Sequence, residues 1–192
     1  LHAAGEKWEL SRDVTYKPNK ITVDLAAAYL ESCLWPGVNL YGVNLNGAEL
    51  CNSDLSHALL KEAQLIEANL RNCRLAGASL DKAIVKQADF ARADLAGARA
   101  NGAQFLGTDF HGAVFTGGTF TSCDFRRADL RGAVLREAKC SHSRFNRARL
   151  EGADCRGTDF SEANLGKVDL TSTRLDGANF QSAELSECNL ER

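Results

Sequence analysis

The sequence predicts an all-β solenoid. Three observations carry this: an unbroken five-residue beat of large apolar residues, small residues two positions ahead of it, and glycine two positions behind it. The beat begins at Leu25, Leu30, Trp35 and Leu40. It runs without insertion or deletion to Leu175, Phe180, Leu185 and Leu190, thirty-four consecutive positions in all. Among these only Ala100, Cys140 and Cys155 are small, and none is charged. A period of five matches neither the 3.6 of an α-helix nor the 2 of a strand. A helix would spread such a stripe around its whole circumference. Self-similarity at a fixed short period instead fits stacked units that bury themselves against their neighbours.

The columns beside the apolar centre define the unit. Two positions earlier stands a small residue, most often Ala, as at Ala58, Ala63, Ala68 and every fifth residue from Ala78 to Ala103. Cys, Ser, Thr, Val or Gly replace it elsewhere. Between small and large residues the intervening position is often Asp or Asn, as at Asn39, Asn44, Asp54, Asn69, Asp89, Asp94, Asp109, Asp124 and Asp129. Residues two apart share one side of an extended segment, so small and large point inward together and the last two residues of the unit must turn a corner. Thirteen of the sixteen glycines, from Gly37 to Gly177, occupy the second corner position. A type II turn needs φ > 0 at its third residue, where glycine is least strained, and Pro36 before Gly37 is the favoured order.

Runs such as Ala68-Asn69-Leu70-Arg71-Asn72, Ala93-Asp94-Leu95-Ala96-Gly97 and Ala128-Asp129-Leu130-Arg131-Gly132 resemble the A(D/N)LXX unit of pentapeptide-repeat proteins. The resemblance covers residues 23–192. It implies a right-handed quadrilateral β-helix with four five-residue sides per coil, so that thirty-four units make about 8.5 coils and residues 20 apart stack. At a rung spacing of about 4.8 Å the rod is about 40 Å long. Residues 1–22 depart from the beat, and Trp8, Leu10, Val14, Tyr16 and Pro18 read as a short irregular N-terminal cap or linker. Such a cap would cover bare strand edges and place Trp35 beneath it. At the other end Leu190 is still in phase. The rod is expected either to continue in a longer protein or to pair with a second copy, as an end-to-end homodimer through the C-terminal coil.

The core follows from the stacking. Phe105, Phe110, Phe115, Phe120 and Phe125 are successive centres that put slightly more than one coil of rings in mid-rod. One face stacks Ala100, Phe120, Cys140 and Phe160, so rings are expected to fill space left by smaller residues. The interior should be solid, with no room for a cofactor or small-molecule substrate.

Composition narrows the setting. A chain of 192 residues makes one domain, and a net charge of −2 fits neither a nucleic-acid glove nor a strongly acidic decoy. No stretch approaches the ~20 apolar residues of a membrane-spanning helix, and no signal-peptide pattern opens the sequence. A Leu1 start and the absence of Met point to a fragment or a processed form. Of seven cysteines, Cys33, Cys73, Cys123 and Cys188 fall in the small inward column, Cys140 and Cys155 are centres, and only Cys51 should face outward. No two are 20 apart, so buried free thiols are expected, favouring a reducing, cytoplasmic location. No CxxC zinc spacing occurs.

Catalytic chemistry is not evident. His57, His111 and His142 should project on different sides, and His2 precedes the beat. Asp89, Asp109 and Asp129 should stack as a ladder. A repeated column gives similar environments, where acid–base catalysis needs different ones, so local backbone hydrogen bonding accounts better for the ladder. No Walker loop, GxSxG or HExxH occurs. No catalytic, cofactor-binding or metal-ligating residue is assigned, and the chain is read as a non-enzyme.

One surface feature stands out. Residues 120–150 hold eight basic residues, Arg126, Arg127, Arg131, Arg136, Lys139, Arg144, Arg147 and Arg149, against Asp124, Asp129 and Glu137. Arg127, Arg147 and Lys167 should form one stacked column, and Arg136 and Arg156 another. Like charges about 5 Å apart repel unless acidic neighbours or a partner offset them. The candidate partner-binding residues are therefore Arg126, Arg127, Arg131, Arg136, Arg147, Arg156 and Lys167. The favoured function is a non-enzymatic protein–protein interaction module or scaffold on a rigid rod, in a larger protein or a bacterial effector. The resemblance also implies an alternative, a DNA mimic that binds a type II topoisomerase such as gyrase. That role requires a more acidic surface than this chain has. A third alternative is a passive spacer. Direct nucleic-acid binding is disfavoured, and the protein partner is not identified by the sequence.

Overall fold

The computed structural model describes residues 24–189. The expected cap over residues 1–22 lies outside the described residues. Parallel bridges join each residue of the polar column to the one 20 positions later, from Asp24–Asn44 to Asp169–Asn189, without a slip in register. Four five-residue sides therefore close each turn of a right-handed quadrilateral β-helix, as the resemblance implied.

The unit centred on Leu70 shows why five residues suffice. Its backbone N–H groups are all satisfied. Asn69 donates to the Ala48 carbonyl one coil back (2.9 Å), and Leu70 and Asn72 donate to Asp89 and Ala91 one coil on (2.7 and 3.0 Å). Cys73 closes the turn onto the Leu70 carbonyl (3.1 Å), and Arg71 donates to the Asn69 side chain (3.2 Å). That last bond explains the Asp/Asn column. In every described unit where Asp or Asn precedes the centre and the acceptor's partner is described, from Asp24–Ala26 to Asn179–Gln181, the side-chain oxygen takes the first corner N–H. These are local Asx bonds, the backbone hydrogen bonding expected for this column.

Every second corner residue from Ala27 to Glu187 has positive φ. Thirteen are glycine (62–71°) and twenty are not (52–62°). With φ positive only at the third turn residue, the corners have the sign pattern of a type II turn.

The inward column is more than small. Where it carries a hydroxyl or thiol, that group donates to the carbonyl of the apolar centre 23 residues earlier: Ser53 to Leu30 (2.9 Å), Cys73 to Leu50 (2.8 Å), Thr108 to Val85 (2.5 Å), Ser143 to Phe120 (2.8 Å) and Thr158 to Leu135 (2.7 Å). Buried polar hydrogens thus find acceptors in the coil below. All seven cysteines are free, and five of them are buried. Burial pushes the Cys73, Cys123 and Cys155 thiols up to about 12, which leaves them protonated and unreactive at neutral pH.

Centres from Trp35 to Leu170 are buried, whereas Leu175 and Phe180 are partly buried and Leu185 is 40% exposed. The phenylalanine coil turns about Phe125. Its ring stacks on Phe105 (4.9 Å) and Phe145 (4.8 Å) and meets Phe110, Phe115 and Phe120 at 6.0–6.3 Å. The Phe120 ring lies where a side chain at the small position of its own unit would be. A Cβ on Gly118 would stand 2.5 Å from Phe120 Cε2 and 3.0 Å from the Ala98 carbonyl oxygen. Glycine is needed at position 118 for space, since its φ is not positive.

Replacing Phe125 by Ala should cost about 3–5 kcal/mol in chemical denaturation, as expected for a ring lost from a filled core. Gly118→Ala should cost about 1–3 kcal/mol by overpacking. A Gly118→Ala protein as stable as wild type would show that the ring moves aside freely.

Candidate interaction face

The seven sequence-selected cations divide into two kinds once partners are assigned. Asp124 holds Arg126 by two bonds of 2.7 Å and Arg144 at 3.1 Å. Asp129 holds Arg131 (Nε to Oδ1, 2.8 Å) and Arg149 (3.7 Å). Asp154 accepts from Arg136 (2.7 Å) and Arg156 (2.9 Å), with Arg174 at 3.7 Å. Lys167 pairs with Glu187 at 3.3 Å. Arg126, Arg131, Arg136, Arg156 and Lys167 are therefore already engaged.

These three aspartates organise the face, and the sequence selection omitted all of them along with Arg144, Arg149 and Arg174. The signal for them is an Asp in the polar column followed 20 residues later by an Arg, which the stacking turns into a cross-coil ion pair. The Arg156 guanidinium, joined by Arg136, holds the Asp154 carboxyl well below the usual carboxylate range. At Asp124 and Asp129 burial pushes upward, but the bonds from Arg126 and Arg131 prevail and lower both.

Arg127 and Arg147 differ. They are exposed second-corner residues on adjacent rungs, with φ of 59° and 61°. Among the described residues no carboxylate lies within ion-pair distance of either. The only other described guanidinium in that condition, Arg92, sits on a different corner. Arg127 and Arg147 line a shallow depression with Leu106, Arg126 and Asn146. The first corner N–H there, that of Asn146, lacks an Asx cap because Arg144 occupies the capping position. The expected column Arg127, Arg147, Lys167 is formed, since Arg127 donates its N–H to the Asn146 carbonyl (3.2 Å) and Arg147 to Gly166 (3.1 Å). Its third member is turned to Glu187.

Other candidates are not brought together. His57, His111 and His142 are exposed on three separate corners. Among the described residues no three His, Cys, Asp or Glu side chains form a metal-binding group, and no helix is long and apolar enough to cross a membrane. The ladder Asp89–Asp109–Asp129 does stack. Asp89 is paired with Arg71 (2.9 Å), however, and Asp129 with two arginines.

A family profile described as pentapeptide repeats (8 copies) matches residues 24–61, 58–95 and 88–127, and one described as a pentapeptide repeat region matches 119–192. No curated protein sequence matches the chain. Similar solved structures include trypsin-treated QnrB1, a plasmid-mediated fluoroquinolone resistance protein. It is 22% identical over 83% of this chain and 90% of that chain, with a TM-score of 0.49. HetL is a pentapeptide repeat protein involved in heterocyst differentiation regulation in the cyanobacterium Nostoc. It is 26% identical over 89% and 92% of the two chains, with a TM-score of 0.33. A pentapeptide repeat protein of the Arabidopsis thaliana thylakoid lumen is 31% identical over 53% and 64%, with a TM-score of 0.27.

Replacing Asp154 by Asn leaves three arginines without their shared anion and should cost about 1–3 kcal/mol at pH 7. Because the folded carboxyl is depressed, its stabilisation is present above the unfolded pKa of about 4 and is lost as pH falls toward the folded value. The stability gap between wild type and variant, measured by urea unfolding, should be constant from pH 7 to about 5 and narrow below about 4. A gap that widens on acidification would contradict this assignment.

Proposed function

The chain belongs to the pentapeptide-repeat family, and from that membership and the geometry of its corners we propose that it is a protein-interaction module. Its recognition face is the corner carrying Arg127 and Arg147, and its target is an acidic surface of a partner protein. One observation carries this. Among the described residues, where the other arginines, Arg92 apart, are met by carboxylates, two exposed guanidiniums on adjacent rungs have none. Two like charges about 4.8 Å apart are a local cost that an external anion removes. The locked arginines around them fix the surroundings, and a preorganised surface loses little freedom on binding.

Charge along the rod supports a compact acidic target over a long polyanion. Acidic residues outnumber basic ones six to one over residues 24–70 and seven to three over 157–192, while basic residues lead nine to five over 116–156. A nucleic-acid duplex laid along the axis would cross two acidic ends. A DNA mimic would need free carboxylate columns, and the aspartate ladder is spent on its own arginines and corner N–H groups.

The test is capture from source-cell lysate on three immobilised baits: wild type, Arg127→Glu/Arg147→Glu, and Arg92→Glu as the unpaired-arginine control. Glutamate already occupies this corner position at Glu62, Glu67, Glu137 and Glu162, with φ of 55–60°, so the reversal should fold. A protein held by wild type and Arg92→Glu but reduced at least tenfold on the double variant is the expected result. Equal capture on all three baits would move the recognition face elsewhere on the rod.

A further inference from the structure

We infer that the Arg127–Arg147 corner reads a phosphoryl group on a segment of its partner protein; this rests on the interaction role proposed above. In the units whose polar column holds Asp or Asn, that side-chain oxygen takes the first corner N–H, as Asp124 does for Arg126 in the coil below. At Asn146 the capping position is filled by Arg144, whose guanidinium turns to Asp124 (3.1 Å). The Asn146 N–H is left with no acceptor among the described residues, and the Asn146 side chain is turned to Asn164. Uncapped corner N–H groups occur at other non-Asx units. This one is flanked by two guanidiniums that also lack acceptors. An external oxyanion at this point takes the place of the missing Asx oxygen and meets both forks.

The charge and oxygen count select the anion. A carboxylate brings one charge and two oxygens, enough for one bidentate guanidinium. A phosphomonoester brings a charge of about −1.5 to −2 and three acceptor oxygens, enough for two guanidiniums on adjacent rungs and the N–H together. The neighbouring groups do not compete: Arg126 and Arg144 are held by Asp124, and Lys167 by Glu187. The source is a protein segment and not a free metabolite, because the depression is shallow and sits on a convex corner where a small molecule would bury little of itself. Partly buried Leu106 in its lining offers an apolar contact for a residue flanking the phosphorylated one.

The experiment is a nuclear magnetic resonance titration of the 15N-labelled full chain, following the Asn146 amide and the Arg127 and Arg147 Nε signals. The probes are three versions of one short Ala/Leu-flanked peptide, with serine, phosphoserine or glutamate at the centre, and inorganic phosphate as competitor. The inference expects saturable shifts of these signals with the phosphoserine peptide. Affinity should be at least tenfold weaker for the glutamate peptide, and phosphate should reverse the shifts. Arg127→Gln/Arg147→Gln should abolish them, and Arg92→Gln should not. The double variant is conformationally tolerated, since Gln87 holds the same corner position at φ 57°. Equal affinity for phosphoserine and glutamate peptides would overturn phosphoryl selectivity while leaving an acidic-partner role intact. Shifts of the Asn146 amide that persist in the double variant, or a phosphoserine-peptide shift that excess phosphate leaves unchanged, would overturn the site. Failure of the interaction role itself would show separately, as loss of differential capture from lysate.

Discussion

The rod depends on backbone register. After each side the chain must turn and arrive over the unit 20 residues earlier, and each N–H that points along the axis has a partner only if it does. One residue of slip would move every apolar centre from the inside to a corner. The corners carry this constraint, so the second corner residue is held at positive φ whether or not it is glycine. For the twenty that are not glycine the left-handed conformation costs on the order of 1 kcal/mol each, and the ladder bonds on both sides of the corner overdetermine it. Arg127 and Arg147 are two of those residues, so the geometry that presents them outward is imposed by the fold itself.

Most of the architecture was legible in the sequence because the constraint repeats. The apolar beat, the small column and the glycine corners each state one part of the unit, and all three agree with the structure. The number of sides was not legible from the period, because a five-residue unit closes a polygon without saying how many sides it has; that came from the A(D/N)LXX resemblance. Two features escaped for physical reasons. Ser53, Cys73, Thr108, Ser143 and Thr158 read as stand-ins for Ala, whereas each also satisfies a carbonyl in the coil below. Gly118 looks like one more small residue and is in fact the space for the Phe120 ring.

The charged face was legible as a sum and not as a pattern. Counting along the sequence gave a surplus of cations over residues 120–150 and grouped five of them with Arg156 and Lys167. Pairing is decided at offsets of 2, 18 and 20 residues, where a guanidinium meets an aspartate in its own corner or on the next rung. Asp124, Asp129 and Asp154 therefore sort arginines that look equivalent in one dimension. Surface ion pairs stabilise a fold only modestly. These carboxylates are mostly covered and bidentate, so their main effect is to fix where guanidiniums point and which remain without an acceptor.

Under the interaction role proposed above, that sorting is how so regular a fold acquires a specific face. The inward columns are committed to packing and the ladder to backbone bonds, which leaves the polar and corner columns free to vary. Wherever an Asp or Asn fills the polar column of a unit whose corner is described, it caps that corner and its N–H is taken. Placing Arg at position 144 does two things at once. It removes the cap from the Asn146 N–H, and it sends its own charge back to Asp124 so that it does not compete with Arg127 and Arg147. Arg144 in the polar column, beside Arg127 and Arg147, which no described carboxylate meets, thereby creates a donor cluster on one edge of the rod. On the reading proposed above, recognition surfaces on other rods of this kind are to be sought where the polar column loses its Asx residue beside corner cations that no neighbouring rung neutralises.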